Sequence, residues 1–490
     1  MVFTKLYYCL GNQIDSSFQE RLRLNIPIAQ KQRKRNSALL LKTLHTNDDP
    51  FRIFCKLYRS HRRLFILESL VGPRQLAEIS ILGFDPELVV SCDSSKFYIR
   101  NSKNKIIHIE DLTNPLEQLR RYVPIVNNNK FRYTGGAVGF VSYDAIRYWE
   151  HIPSKYKGKK IFPLLEFGIH TDGIVYDHIA KNAYYFTIGK SRYKEISSEI
   201  ETEDPFQMKS FSYSAPKPML NSREYTDLVK RAKHYIYQGD VFQVVLSNSN
   251  TFTVKGDLLV AYSKLREVNP SPYMYFLKLG GATVIGSSPE MLVRVTEDNV
   301  ETFPIAGTRP AVKNKIENER LAKELLSDEK EVAEHTMLVD LARNDLGRVC
   351  EYGTVKVHEL MSVKKFSHVQ HIVSHVKGSL APGLTSYDAL RAVFPAGTVS
   401  GAPKVRAMEI IDELEPCPRG LYAGAIGYFS ANGSCDFAIT IRSIIINKQR
   451  ASIQAGAGIV IDSVPKREWK ETQDKAYGII FSLKEASKKR

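Results

Sequence analysis

Four glutamates carry the first hint of chemistry. The segment KEVAEHTMLVDLARND places Glu331 and Glu334 at i, i+3, and REWKETQDK repeats that spacing with Glu468 and Glu471. On a helix such a pair projects from one face. Alone, each pair reads as solvated surface acids beside Lys330 or Lys470. Two such helices together could converge on a hard divalent ion, and Mg2+ takes only one or two carboxylates directly because it keeps most of its water.

Anion-binding signals accompany the acids. In PAGTVSGAPK, glycines precede a helix with Pro403 in its first turn, an arrangement that aims backbone amides at an anion. The Gly-x-x-x-x-Gly-Lys-Ser/Thr spacing is missing, so a general anion site fits and a nucleotide site does not. The AGAG run at 455–458 either lets backbone approach a ligand closely or serves strand packing alone. Arg442, in FAITIRSIII, is a charge among aliphatics and must be paired or bound to an anion. His371 shares a strand face with Val369, Val373 and His375; such histidines are commonly structural, yet beside a pocket His371 is the natural proton carrier. The turn FPIAGTRP, residues 303–310, puts a bare methyl group, Ala306, in the middle of a binding-like loop. Taken together these residues suggest a magnesium-assisted site for a small polyanion. Neither a Gly-x-Ser-x-Gly elbow nor an HExxH pair is present.

Strands and helices must bring these residues together. Residues 49–190 alternate short apolar runs with turns (LFILESL, ELVVSC, KIIHIE, GGAVGFVSYDAIRYW) and read as a first, strand-rich domain. A polar, proline-punctuated stretch, 191–220, reads as a surface connection. A second domain, 221–488, opens with a capped helix at NSREYTDL, where Asn221 and Glu224 form a capping box and Gly239 ends the run. The strand VFQVVLS follows, with Gln243 a polar residue on an apolar side. One long helix is predicted from about Glu317 to Arg343, and a last one from about Pro465. Strands grouped with strands, helices interspersed, predict an α+β fold: a composite, sandwich-like body of antiparallel sheets flanked by helices.

Composition sets the outer bounds. At 490 residues the chain is long enough for a large composite core. With 43% hydrophobic and 25% charged residues, and no apolar run long enough to cross a bilayer, it is not a membrane protein. Six cysteines without C-x-x-C pairs fit a reducing, cytoplasmic setting. The net charge of +16 suits nucleic acid or a small anionic substrate. Residues 1–48 form a basic extension containing KQRKR. No nucleic-acid fold signature accompanies it, so nucleic-acid binding remains only the rival class.

The stretches EHTMLVDLARNDLGRV, PAGTVSGAPKVRAMEII, YAGAIGYF and QAGAGIVIDSVPKREWKETQDKA resemble the chorismate-utilising enzymes, and among them the anthranilate synthase component I type. The resemblance runs from about Phe65 to the last helix. It implies Glu334 and Glu471 as Mg2+ ligands, with Glu331 and Glu468 acting through metal-bound water. It implies chorismate contacts from Gly307, Thr308, Tyr422, Arg442, Gly456, Ala457 and Gly458, and catalytic positions at His371 and Thr398. The implied reaction adds ammonia to chorismate and releases anthranilate and pyruvate, with His371 the candidate for proton traffic at the departing oxygen. LESL with Ser69, and NPSPYMYF with Pro272, Tyr273 and Met274, resemble the two halves of a tryptophan feedback site.

Two departures separate the branches of this family. Where an aminodeoxychorismate synthase component I has a nucleophilic lysine this chain has Ala306, and a methyl group cannot attack. Where isochorismate and salicylate synthases have a water-activating lysine it has Gln243, whose amide is no base. Both favour direct ammonia attack over the aminodeoxychorismate alternative. No Gly-x-Cys-x-Gly glutaminase nucleophile is present, so the resemblance implies a separate glutamine amidotransferase subunit in a heterodimer or heterotetramer. After Thr308-Arg309-Pro310 the sequence continues AVKNK, without the basic glycine continuation of the family.

Overall fold

The computed structural model describes residues 38–71, 78–156, 162–202, 209–365 and 369–488. Most of the basic extension, including KQRKR, lies outside the described residues. Residues 37–490 form one compact unit.

Two large antiparallel sheets face each other. The first runs, neighbour by neighbour, through strands Leu40–Leu44, Asn182–Thr187, Asp172–Asp177, Ile79–Phe84, Leu64–Glu68, Tyr273–Lys278, Thr283–Ser288, Ser443–Asn447, Arg450–Ile459, Gln243–Gly256 and Phe211–Tyr213. The second runs through Ile305–Pro310, Val369–Ser379, Asn299–Thr302, Met291–Thr296, Cys435–Ile439, Ala425–Ser430, Gly136–Val141, Leu165–His170, Leu88–Cys92, Lys96–Asn101 and Ile106–Asp111. Strands from 49–190 and from 221–488 therefore share both sheets.

Alternation along each strand explains the layering. In LFILE, Phe65 enters the core between the sheets with Val138, Phe140, Tyr275 and Ile426. Its neighbours Leu64 and Ile66 point the other way, into a second core with Phe54, Tyr262 and Ile479 from helices Pro50–Ser60, Leu258–Val268 and Pro465–Ala486. A third core packs helices Glu329–Gly347, Ser386–Val393 and Lys404–Leu414 on the outer face of the second sheet through Val339, Leu390 and Met408. Such strands must be apolar on both faces, because each face is covered. Burying each of these large side chains contributes ~1.5–3 kcal/mol, so the inter-sheet layer is a main source of stability. The result is the expected α+β sandwich.

Several expectations change in detail. The predicted Glu317–Arg343 helix is two, Lys315–Ser327 and Glu329–Gly347, because extended Asp328 breaks the run and caps the second through a bond from the Glu331 amide. The stretch read as a surface connection holds a helix, Tyr193–Glu201, whose Ile196 and Ile200 are buried at i, i+4. The capping box at Asn221 and Glu224 forms as read. Among the described residues no helix is long and apolar enough to cross a membrane.

Candidate active site

The chemistry gathers where the chain passes between sheets. Glu290 lies on the link from strand Thr283–Ser288 of the first sheet to Met291–Thr296 of the second. Arg442 lies on the return link, from Cys435–Ile439 to Ser443–Asn447. The two links are tied by the Ile439 amide, which donates to the Glu290 carbonyl at 3.1 Å. Arg442 holds φ +50°, a left-handed conformation that only over-determined surroundings enforce on a non-glycine.

Arg442 is nearly buried, and burial lowers its pKa against the attraction of Glu290. No ion-pair partner lies within reach of its guanidinium among the described residues. A cation so placed asks for an anionic ligand. Glu290 is the complementary anomaly: burial pushes its carboxyl up to about 8, opposed by Thr398, Lys475 and Arg442. At neutral pH it is a carboxylic acid, able to donate a proton. The Thr398 hydroxyl, buried and without a hydrogen-bond partner among the described residues, is close enough to hold the Glu290 carboxyl down, and both line one cavity with Phe303, Leu338 and Asp345. Thr398 is fixed from behind because Gly397 packs on Leu341: a Cβ there would come within 2.0 Å of the leucine Cδ2.

The FPIAGTRP turn forms an edge strand with a bulge. Ala306 pairs with Ile372 and Arg309 with Gln370, so Gly307 and Thr308 are lifted out of the ladder. Gly307 takes φ +64°, which glycine adopts freely. Its carbonyl accepts from His371 Nδ1 at 2.7 Å, and the Thr308 hydroxyl lies 3.2 Å from the same nitrogen. This bond places the lone pair of neutral His371 on Nε2. Burial first, and then Arg442, hold its pKa below the usual histidine value, against the Gly307 bond.

On the opposite wall, strand Arg450–Ile459 pairs with Gln243–Gly256. A Cβ on Gly456 would meet the Tyr422 hydroxyl at 2.7 Å, and one on Gly458 would meet Gln243 Nε2 at 2.5 Å. Both glycines are therefore required for those side chains to pack against the strand. Tyr422 itself is pushed up to about 12 by burial. Lys475 bridges this wall to the acids, donating to the Gly456 carbonyl at 2.9 Å and pairing with Glu471 at 2.7 Å.

The four glutamates sit within each other's field. Glu334 is raised by burial, then, against Lys330, by Glu331, Glu471 and Glu468. Glu468 is raised by burial and by Glu471. Glu331 leans on Arg309 at 3.4 Å, and Glu334 on Lys330 at 3.8 Å. Among the described residues no three His, Cys, Asp or Glu close into a complete metal cage. A cluster of mutually repelling hard-oxygen donors on two facing helices nonetheless fits a largely hydrated Mg2+ ion.

The first helix turn after PAGTVSGAP is held by Lys404, which pairs with Asp345 at 2.6 Å. Away from this centre, Ser69, Pro272, Tyr273 and Met274 line a second cavity between the sheets, with Arg132, Tyr428 and Asp436. The sequence reading missed Glu290 and Lys475. Glu290 stands in SSPEMLV, where nothing periodic marks it, and only the crossing between sheets buries it. Lys475 follows Glu471 at i+4, which was a legible clue.

Comparison with known proteins gives this chemistry a family. The sequence profile of the chorismate binding enzymes matches residues 65–480, and the chain belongs to that family. Its relatives include anthranilate synthase component 1 of Methanothermobacter thermautotrophicus, 48% identical over 89% of this chain and 92% of the relative. Among solved structures, anthranilate synthase component I from Streptococcus pneumoniae superposes with a TM-score of 0.73 at 36% identity, over 89% of this chain and 98% of that one. The menaquinone-specific isochorismate synthase of Escherichia coli shares the fold, with a TM-score of 0.69 at 18% identity over 96% and 99% of the two chains.

Proposed function

We propose that the chain is the chorismate-converting component of an anthranilate synthase, a lyase that turns chorismate and ammonia into anthranilate and pyruvate in L-tryptophan biosynthesis in the cytoplasm. The observation that carries the reading is Arg442, a nearly buried guanidinium without an ion-pair partner among the described residues, in a chain whose acidic helices also gather a carboxylate cluster that calls for a cation. Chorismate, a dicarboxylate taken with Mg2+, answers both demands.

In this reading Arg442 and Tyr422 hold the enolpyruvyl carboxylate, and Gly307, Thr308 and the Gly456–Ala457–Gly458 backbone complete the anion site. Glu334 and Glu471 would hold Mg2+, with Glu331 and Glu468 behind its water; when bound, the ion draws electron density through the ring carboxylate. Glu290, protonated at neutral pH, gives its proton to the C4 hydroxyl as ammonia adds at C2. His371, neutral with its lone pair on Nε2, accepts a proton, and the Thr398 hydroxyl faces the same cavity as Glu290. Ala306 offers no nucleophile and Gln243 no base, so ammonia attacks directly. Incubating the chain with chorismate, Mg2+ and ammonium tests this: anthranilate fluorescence is expected, and aminodeoxychorismate or isochorismate as product would overturn it.

Ammonia in this reading comes from a separate glutamine amidotransferase subunit, in keeping with relatives named as component 1. Residues 49–190 and 221–488 meet at the second cavity, which we assign to tryptophan as feedback inhibitor. Its support is an apolar slot between sheets lined by a buried Ser69 hydroxyl, without a hydrogen-bond partner among the described residues, and by the Asp436 carboxylate. An indole fits the slot and an amino-acid head these polar groups. Titrating tryptophan into the anthranilate assay decides the matter, and no inhibition at millimolar levels would leave the cavity a structural feature.

A further inference from the structure

A row of side chains leaves the second cavity and ends on the strand that carries His371. Tyr273 donates to Asp436 at 2.9 Å. Arg294, 2% exposed, binds the same carboxylate through Nε at 2.9 Å and Nη2 at 2.8 Å. Its Nη1 lies 3.5 Å from Glu301. Glu301 in turn meets His375 Nε2 at 3.0 Å. Asp436, Arg294 and Glu301 are directly opposite one another on three adjacent strands, so the row crosses the sheet at one level. His375 lies two pleats from His371 on Val369–Ser379, and its ring stacks on Phe303 at 4.2 Å. Phe303 leads into the Ala306–Thr308 bulge, whose Gly307 carbonyl fixes His371.

We propose that Arg294, Glu301 and His375 are positioning residues that couple the inter-sheet cavity to the catalytic strand. The inference rests on reading that cavity as the tryptophan site. A ligand's ammonium drawn to Asp436 competes with Arg294 for one carboxylate. A buried guanidinium cannot be left without a counter-charge, so Arg294 shifts its weight to Glu301. Glu301 is also the partner of His375, and its hold on that ring changes with its pairing to Arg294. The stacked His375–Phe303 pair carries the change to the bulge and to His371. Coupling of this kind needs a contiguous chain with two pairings, and here every link is in contact.

The test uses the full chain and two variants, His375→Phe, which keeps the stack on Phe303, and Glu301→Gln, which keeps the shape. Tryptophan binding is measured by calorimetry without chorismate, and the tryptophan-induced rise in chorismate KM is measured in the anthranilate assay. Both variants are expected to bind tryptophan within about threefold of the parent, with basal kcat/KM near the parent's, while the rise in KM shrinks at least about fivefold. An undiminished rise in KM with normal binding would refute the coupling and leave the regulatory site standing. Absence of tryptophan binding to the parent would refute both. If both variants instead lose basal activity and Tm together, the row is structural support alone and the proposal fails.

Discussion

Replacing Glu290 with glutamine separates what this carboxyl does for catalysis from what it costs the fold. Burial pushes the group up to about 8 from an ordinary value of 4.5. Between those values the folded chain keeps a proton that the unfolded chain releases, so stability falls as pH rises through that window and levels off above it. At ~1.36 kcal/mol per pH unit, crossing the window costs at most ~5 kcal/mol. Glutamine has the same shape and no charge, so the variant escapes this loss. With an unfolding entropy of ~2.1 cal/mol/K per residue, a chain of this length gains roughly 1 °C per kcal/mol. The Tm of Glu290→Gln relative to the parent should therefore rise by up to about 5 °C between pH 5 and pH 9. Activity should move the other way. An amide cannot give up a proton to a departing hydroxyl, and kcat with ammonium should fall about 100- to 10,000-fold. In the parent, kcat at fixed free ammonia should decline as pH rises through about 8. Thermal scans and anthranilate fluorescence over the same buffers supply both readouts. A Tm difference independent of pH, or a kcat within about tenfold of the parent, would refute the protonated-acid reasoning.

Other perturbations address the remaining walls of the site. Ala306→Lys should suppress anthranilate formation, and unchanged kinetics would show that the position is not beside the ring. Arg442→Gln removes a charge-assisted contact worth ~1.5–3 kcal/mol and should raise chorismate KM about 10- to 100-fold, read from initial rates; an unaltered KM would remove Arg442 from the carboxylate subsite. Gly456→Ala forces a methyl group onto the buried Tyr422 hydroxyl and to 3.0 Å from the Leu246 carbonyl oxygen, so KM should rise and Tm should fall, read from initial rates and thermal scans; unchanged values of both would show that the strand has room there. The isolated chain should turn over chorismate with ammonium salts and not with glutamine, and robust glutamine-dependent turnover would refute the need for a partner subunit.

Much of the architecture was legible because its causes are local. The capping box at Asn221 and Glu224 forms from residues three apart, and the i, i+3 glutamates share helix faces wherever those helices dock. The two-sided apolar strands, such as LFILE, announce a covered sheet. What escaped the sequence depends on distant contacts. Glu290 gains its shifted pKa only because two links between sheets bury it together with Arg442. The break at Asp328 was hidden because a capping aspartate and a helix-interior aspartate look alike until Arg309 pairs with it across the bulge, at 2.9 Å. The helix at Tyr193–Glu201 has just two aliphatic residues, Ile196 and Ile200, too few to stand out as a period.

The interleaving of early and late strands has a kinetic consequence. Gly139 pairs with Gly427, and Leu67 with Tyr275, so central positions of both sheets stay open until the second half of the chain arrives. During synthesis, Gly136–Val141 waits with one unpaired edge while most of the remaining protein is made. Open edges flanked by apolar faces are templates for pairing with other chains. Folding dominated by such distant partners is slow. Yield in the cell should therefore depend on chaperone capacity and temperature more than on the stability of the finished sandwich.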